Sequence, residues 1–411
     1  MPREIVVLGA GIVGISAALH LVKRGHSVTV FDRRAPGRET SYGNAGIIQR
    51  EAVEPYAFPR QWRAIVDVVL KRGIDVDYHL SALLAAAPRL WAYRRWSAPD
   101  RYPAVAAAYS TLIAHSVSEH AALIDEAGAG ALVERRGFRQ VFRNQAPLDT
   151  AAKQAERMQT TYGVRHQLQD GDALARAEPA LRRRLAGAIH WLDPWCVRDP
   201  GGLVAAYAEL LTRLGGRIVG AEVRSLQRAG AGWRVVTANH GTVEAGDVVV
   251  ALGPWSDALL RPLGYHLPLF VKRGYHRHYS GGERPTVPIH DTQNGYVLVP
   301  TVHGVRLTTG AEFAAVGARP TPRQLQRAEP VARELLELPT PVEAEPWHGW
   351  RPCTVDMKPV IGASREPGLW FDFGHGHQGF TLGPASGRLL ADLVDGETPF
   401  VDAAPFSPAR F

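Results

Sequence analysis

Cysteine is nearly absent from this 411-residue chain. Cys196 and Cys353 stand far apart and in no metal-ligand spacing, which argues against a disulfide framework and against a zinc site, and fits a reducing compartment. No metal is expected. Nor is there a run of about 18 apolar residues, the length a helix needs to cross a bilayer. Internal periods, heptads and low-complexity tracts are also missing, and the 41 glycines and 30 prolines are scattered. Solenoids, coiled coils and disordered chains are thereby set aside. The opening Met1-Pro2-Arg3-Glu4 leads into Ile5–Leu8, an apolar run too short for a secretory signal.

What is present is enough apolar material, 45% of the residues, to fill a core that divides into two domains. The formal charge of +7 is spread along the chain. Its densest runs, Arg135-Arg136 and Arg182-Arg183-Arg184, lack the interleaved aromatics of a single-strand groove, so they read as solvated faces and no nucleic acid is expected as partner.

The N-terminus carries the most local information. Ile5–Leu8 reads as a buried parallel strand, followed by Gly9-Ala10-Gly11-Ile12-Val13-Gly14 and a helical pattern to Arg24 with Ile15, Leu19 and Val22 at helix spacing. Gly25 ends that helix. Val28–Phe31 is a second strand, closed by Asp32 at 18 residues after Gly14. This order is the dinucleotide fingerprint: Gly9 permits a tight turn, Gly11 lets the backbone approach a pyrophosphate, and Gly14 lets helix and strand pack closely. The helix N-terminus offers N–H groups and positive dipole to phosphates. Asp32 is placed for a ribose hydroxyl and against a 2′-phosphate; alternatively it caps the next turn. Arg33 lies along an adenine or is solvated. The motif does not separate FAD from NAD.

Glu39-Thr40-Ser41-Tyr42-Gly43-Asn44-Ala45-Gly46 resembles the loop after the second strand in FAD-dependent D-amino-acid dehydrogenases. The far end resembles the same family in Trp347-His348-Gly349-Trp350-Arg351-Pro352, Asp356, Pro359–Gly362, and Gly374-His375-Gly376-His377-Gln378-Gly379-Phe380-Thr381. Between them, Arg273–His276 and Gly310–Phe313 look like its substrate-domain strands. The resemblance spans the chain in the family's order. It implies the α/β fold of the D-amino-acid oxidase superfamily, which includes glycine oxidase and sarcosine oxidase: a Rossmann-like FAD-binding domain interleaved with a mixed-sheet α+β substrate domain. The expected division is 1–85, 197–262 and 346–411 for FAD, and 86–196 and 263–345 for substrate. A helix is expected near Pro384.

By the same resemblance, Ile12, Val13, Thr40, Ser41, Asn44, Ala45, Gly46, Ile47 and Val223 contact FAD, and Gly253 marks a further backbone approach. The loop Gly374–Thr381 would stabilise charge gained by the reduced ring. Arg351, five residues before Asp356, matches the arginine that binds the substrate carboxylate; its planar fork makes two parallel charge-assisted hydrogen bonds. Otherwise it is a structural ion pair. Tyr296 matches a tyrosine lining the glycine oxidase site, and Tyr275 would close the pocket, although either also reads as a half-buried strand aromatic. His375 and His377 are candidates for hydrogen bonds to flavin or substrate, not for a general base. Sarcosine oxidases tether FAD through a cysteine seven residues before the aspartate; this chain has Gly349 there, so non-covalent FAD is expected.

The implied reaction is hydride removal from Cα of a small D-amino acid, with D-proline and hydroxyproline among the candidates, giving an imino or 2-oxo acid. Electrons would pass to a quinone or another carrier. Arg60–Arg72, with Trp62, Ile65, Val66, Val69 and Leu70 among basic residues, and Trp91–Trp96 are candidates for a peripheral membrane contact on the cytoplasmic face; alternatively these helices pack between domains. Competing readings are a glycine- or sarcosine-type oxidase that makes hydrogen peroxide, an FAD-dependent RNA-modifying enzyme, and an FAD-binding subunit of a complex.

Overall fold

The computed structural model describes residues 1–71 and 73–411. A strand that is apolar on both faces belongs inside a covered parallel sheet. Glu4–Leu8 accordingly lies between Ser27–Asp32 and Asp247–Val250, with Ile5 opposite Val28 and Val6 opposite Val248. Arg217–Gly220 extends this sheet on one side; Leu369–Phe373 and then Val360–Ala363 extend it on the other. The last pairing is antiparallel and the others are parallel.

Helices cover one face. Ile12–Lys23 packs against Gly379–Asp395 backbone to backbone, because a Cβ at Gly387 would fall 2.7 Å from the Ala17 nitrogen and one at Gly383 3.0 Å from Ile12 Cγ1. Pro384 sits inside the second of these helices rather than at its start. A proline cannot donate to the carbonyl four residues back; the buried His120 supplies the missing donor, its Nε2 lying 2.8 Å from the Phe380 oxygen. The opposite face is covered by a small antiparallel sheet, Val223–Ala229, Gly232–Thr237 and Thr242–Ala245, whose Leu226, Trp233 and Val235 share a core with Val6, Leu8, Val248 and Val250.

The second large sheet is built around the long strand Leu269–Ser280, with Gly304–Thr308, Tyr296–Thr301 and Ile289–Asp291 following in antiparallel order. Phe138–Phe142, Gly187–Trp191 and His166–Asp170 continue it. Helix Arg323–Arg333 seals its back with Leu325, Ala328 and Ala332.

Three assignments differ from expectation. Trp347–Thr354, expected to return to the first sheet, pairs with Leu269–Ser280, and Val76–Tyr78 pairs with Ala311–Phe313. Conversely, helices Tyr102–Ile113 and Ser116–Ala127 join the core of the first layer through Tyr109, Leu112, Leu123 and Ile124. Periodicity identifies an element but not the sheet to which the chain returns.

Candidate active site

A cavity of about 950 Å³ runs between the two large sheets. At its inner end Gly9, at φ +113, donates its N–H to the Phe31 oxygen at 2.8 Å, and a Cβ there would strike the Ala251 oxygen at 2.5 Å. Gly11, Ile12 and Val13 form the adjacent wall. Gly14 stands behind it, where a Cβ would fall 1.9 Å from the Gly9 oxygen; its role is the close packing of helix on strand. The Ile12 N–H donates to Ser41 Oγ at 3.0 Å.

Asp32 faces the cavity and also braces the turn, accepting from the Ala10 N–H at 2.7 Å and the Arg34 N–H at 2.9 Å. Arg33 donates to Glu39 Oε1 at 2.7 Å and lies 4.3 Å over the Trp255 ring, at the exposed edge of the cavity wall. Thr40 Oγ1 donates to the Trp350 oxygen at 3.0 Å, and Asn44 Oδ1 accepts from the Gly46 N–H at 2.8 Å. Arg306, from the second sheet, donates to the backbone oxygens of Tyr42 and Asn44 and so fastens this loop across the layers. Thr40, Ser41, Asn44, Ala45, Ile47, Val223 and Gly253 all border the cavity.

On the opposite wall are Gly374, His375, Gly376, His377, Gly379 and Phe380. Gln378 and Thr381, expected to contact the cofactor, lie one layer behind: Thr381 Oγ1 donates to Gln378 Oε1 at 2.8 Å, and Gln378 Nε2 donates to Gln49 Oε1 at 2.9 Å. Gly46 is also set back, at φ +70 against the Val197 oxygen. His375 Nε2 has no hydrogen-bond partner among the described residues, and burial pushes its pKa down to about 3. Burial likewise holds His377 well below the usual histidine range. Both are neutral rings.

Arg351 projects into the cavity from Trp347–Thr354. Its Nη1 donates to the Gly310 oxygen at 2.6 Å and Nη2 reaches the Thr309 oxygen at 3.3 Å, yet no carboxylate pairs with it among the described residues. Gly274 makes room for it, since a Cβ there would lie 2.3 Å from Arg351 Nη2. Tyr275 borders the cavity, but its hydroxyl is turned away, donating to Glu312 Oε2 at 2.7 Å and accepting from the Thr321 N–H at 2.8 Å. Tyr296 is a correction. Strand alternation sends Val297 into the cavity and Tyr296 to the opposite face, where its fully buried hydroxyl lies 3.4 Å from both Arg143 Nη2 and the Val331 oxygen.

A glycine turn open to backbone approach, a helix N-terminus with a facing acid, and a long cavity ending at an arginine that no carboxylate among the described residues pairs fit a dinucleotide carrying a reactive ring beside a carboxylate substrate. A family model described as FAD dependent oxidoreductase (DAO) matches residues 4–393. The chain belongs to that family. This FAD-dependent oxidoreductase is 32% identical to a D-amino-acid oxidase of Bradyrhizobium diazoefficiens, over 100% of this chain and 99% of that protein. It is 30% identical to a D-amino acid dehydrogenase of Chromohalobacter salexigens, over 99% of each. Its fold matches glycine oxidase from Geobacillus kaustophilus with a TM-score of 0.74 at 22% identity, covering 100% and 99% of the two chains.

Sequence reading missed several residues of the enzyme's cavity, among them Tyr56, His290, Trp347 and Lys272. Only strand register brings Lys272 opposite Arg351. No helix among the described residues is long and apolar enough to cross a membrane.

Proposed function

We propose that the enzyme oxidises a small D-amino acid at Cα. The observation that carries this reading is Arg351, a part-buried guanidinium facing the cavity and without a carboxylate partner among the described residues. A part-buried cation of this kind is satisfied by an incoming anion, and its fork fixes a carboxylate in one orientation. The names of the full-length relatives support a D-amino acid as the donor of that carboxylate. Beside an unpaired arginine the substrate amine binds most readily as the free base. Its lone pair forms the C=N bond as hydride leaves Cα. FAD, when bound, supplies the hydride acceptor. Water then converts a primary imine to the 2-oxo acid and ammonia, while a cyclic amine leaves as its imine. His375 and His377, held neutral, serve as hydrogen-bonding groups toward cofactor or substrate.

The cofactor is held without a covalent bond in this reading, and Gly349 supports it: a Cβ there would lie 2.2 Å from the Trp347 ring, which leaves no place for a tethering cysteine.

The acceptor is read as a quinone taken from a membrane surface. Phe58, Ile65, Val68, Leu83 and Leu90 line the outer part of the cavity. Beside it, Trp62, Val69, Leu70, Leu80, Leu84 and Trp91 are more than half exposed, with exposed Arg60, Arg63 and Arg95 among them. An apolar rim ringed by cations suits an anionic lipid surface. Arg72, the end of the stretch singled out from sequence, lies outside the described residues.

The deciding experiment is anaerobic titration of FAD-loaded protein, whose colour is expected in the supernatant after denaturation. Bleaching near the oxidised-flavin band, about 450 nm, by D- but not L-amino acids is the expected result. A flavin that stays oxidised with every amino acid would overturn the assignment.

A further inference from the structure

Resting on the amino-acid reading above, we propose that Lys272 makes the site select amino acids with a second carboxylate, the α-amino dicarboxylic acids.

Adjacent cations on a strand go to opposite faces, and here they meet different fates. Arg273 turns to the back, where it is wholly buried and neutralised by Glu312, with Nε 2.7 Å from Oε2. Lys272 turns into the cavity. Its Nζ lies 5.0 Å from the Tyr93 ring centroid, 5.5 Å from Phe270 and 5.9 Å from Phe313. Among the described residues it has neither a carboxylate nor a hydrogen-bond acceptor. The rings favour its cationic form through their faces, while burial presses its pKa down; an anion would satisfy it.

Lys272 stands directly opposite Arg351 on the paired strand. Directly opposed residues have Cβ atoms about 5 Å apart. The Arg351 guanidinium rests over Gly274, two residues along the same face from Lys272. One wall therefore presents two unpaired cations. A single carboxylate is satisfied by the arginine fork, which leaves the ammonium for a second carboxylate one or two methylenes away. The nearby titratable groups do not supply that anion. His290 and His377 are neutral, burial pushes the thiol of the neighbouring Cys353 up, and Glu51, in the recess that Lys272 also borders, makes no ion pair with it among the described residues. Glu51 instead accepts from Gln49 Nε2 at 2.8 Å.

The test compares D-glutamate and D-aspartate with D-alanine and D-proline in anaerobic flavin reduction. In parallel, the Tm of the holoenzyme is recorded with glutarate or butyrate, which cannot react. The acidic substrates are expected to show a higher kcat/KM by about tenfold or more, and glutarate to raise Tm more than butyrate. In Lys272→Met the acidic-to-neutral ratio should fall by about tenfold, and in Lys272→Arg it should be retained. Reduction by the neutral amino acids in preference to the acidic ones overturns the selectivity alone, as does an unchanged ratio in Lys272→Met or equal Tm shifts with the two acids. A flavin that no amino acid reduces overturns the underlying reading of the site.

Discussion

Replacing Arg351 by lysine keeps the charge and removes the fork. The ammonium cannot hold both carbonyl oxygens of Thr309 and Gly310 and also grip a carboxylate with two parallel bonds. Arg351→Lys is expected to lower kcat/KM by about a hundredfold with FAD content unchanged; a loss of less than threefold would remove Arg351 from substrate binding. Gly274→Ala tests the same guanidinium from the other side. Because the added methyl meets the mobile end of a side chain, Tm should stay within about 2 °C while KM rises about tenfold. A large fall in Tm would mean that Gly274 serves the strand and not Arg351. At this scale the sequence was informative where chemistry is local: Gly9, Gly11 and Asp32 are close in the chain and meet as their spacing says. Tyr296 was misread because its matching neighbours do not reveal which face of the strand looks inward. Lys272 was invisible beside Arg273, since two adjacent cations look alike until one of them is found with Glu312.

Among the elements, helices Trp62–Val69 and Leu80–Trp96 leave apolar side chains in solvent at the cavity mouth. If they seat on lipid, the holoenzyme should co-sediment with vesicles containing phosphatidylglycerol at low salt, and less with neutral vesicles. The pair Trp62→Ser and Trp91→Ser should reduce that binding without altering flavin content. Failure of the unaltered enzyme to bind at low salt would end the membrane reading. The periodic pattern showed these helices but not their surroundings, and it left open the choice between lipid and domain packing. The helix Gly379–Asp395 shows the same limit. Pro384 suggested a start, whereas His120, remote in sequence, occupies the carbonyl that the proline leaves free and lets the helix begin earlier.

The whole molecule carries a pH dependence that no single element sets. Burial lowers His20 and His375 to about 3, and His120, His278 and His290 to about 4. The unfolded chain takes up these protons near the ordinary value, so between about 6.5 and these folded values acid favours unfolding. Glu51, raised to about 7, and Asp372, raised by burial, act the other way: their contribution is lost as pH rises through the folded value. The histidines outnumber them. Tm of the holoenzyme is expected to fall by about 5 °C or more from pH 7 to pH 5; a flat or rising Tm would contradict neutral burial of these rings. Overall class and the order of elements were legible from sequence, because hydrophobic periodicity and the glycine turn are local signals. Sheet membership was not: Trp347–Thr354 and Val76–Tyr78 find their partners only through long-range pairing.

The threading of the first sheet has a consequence for biosynthesis. Its central strand, Glu4–Leu8, leaves the ribosome some 240 residues before its neighbour Asp247–Val250, and Leu369–Phe373 follows later still. The wall Gly374–Phe380 comes directly after that last strand. Domains that fold as units during synthesis need all their strands in hand. The nucleotide grip at Gly9–Val13 thus waits for Gly374–Phe380, and flavin loading waits with it.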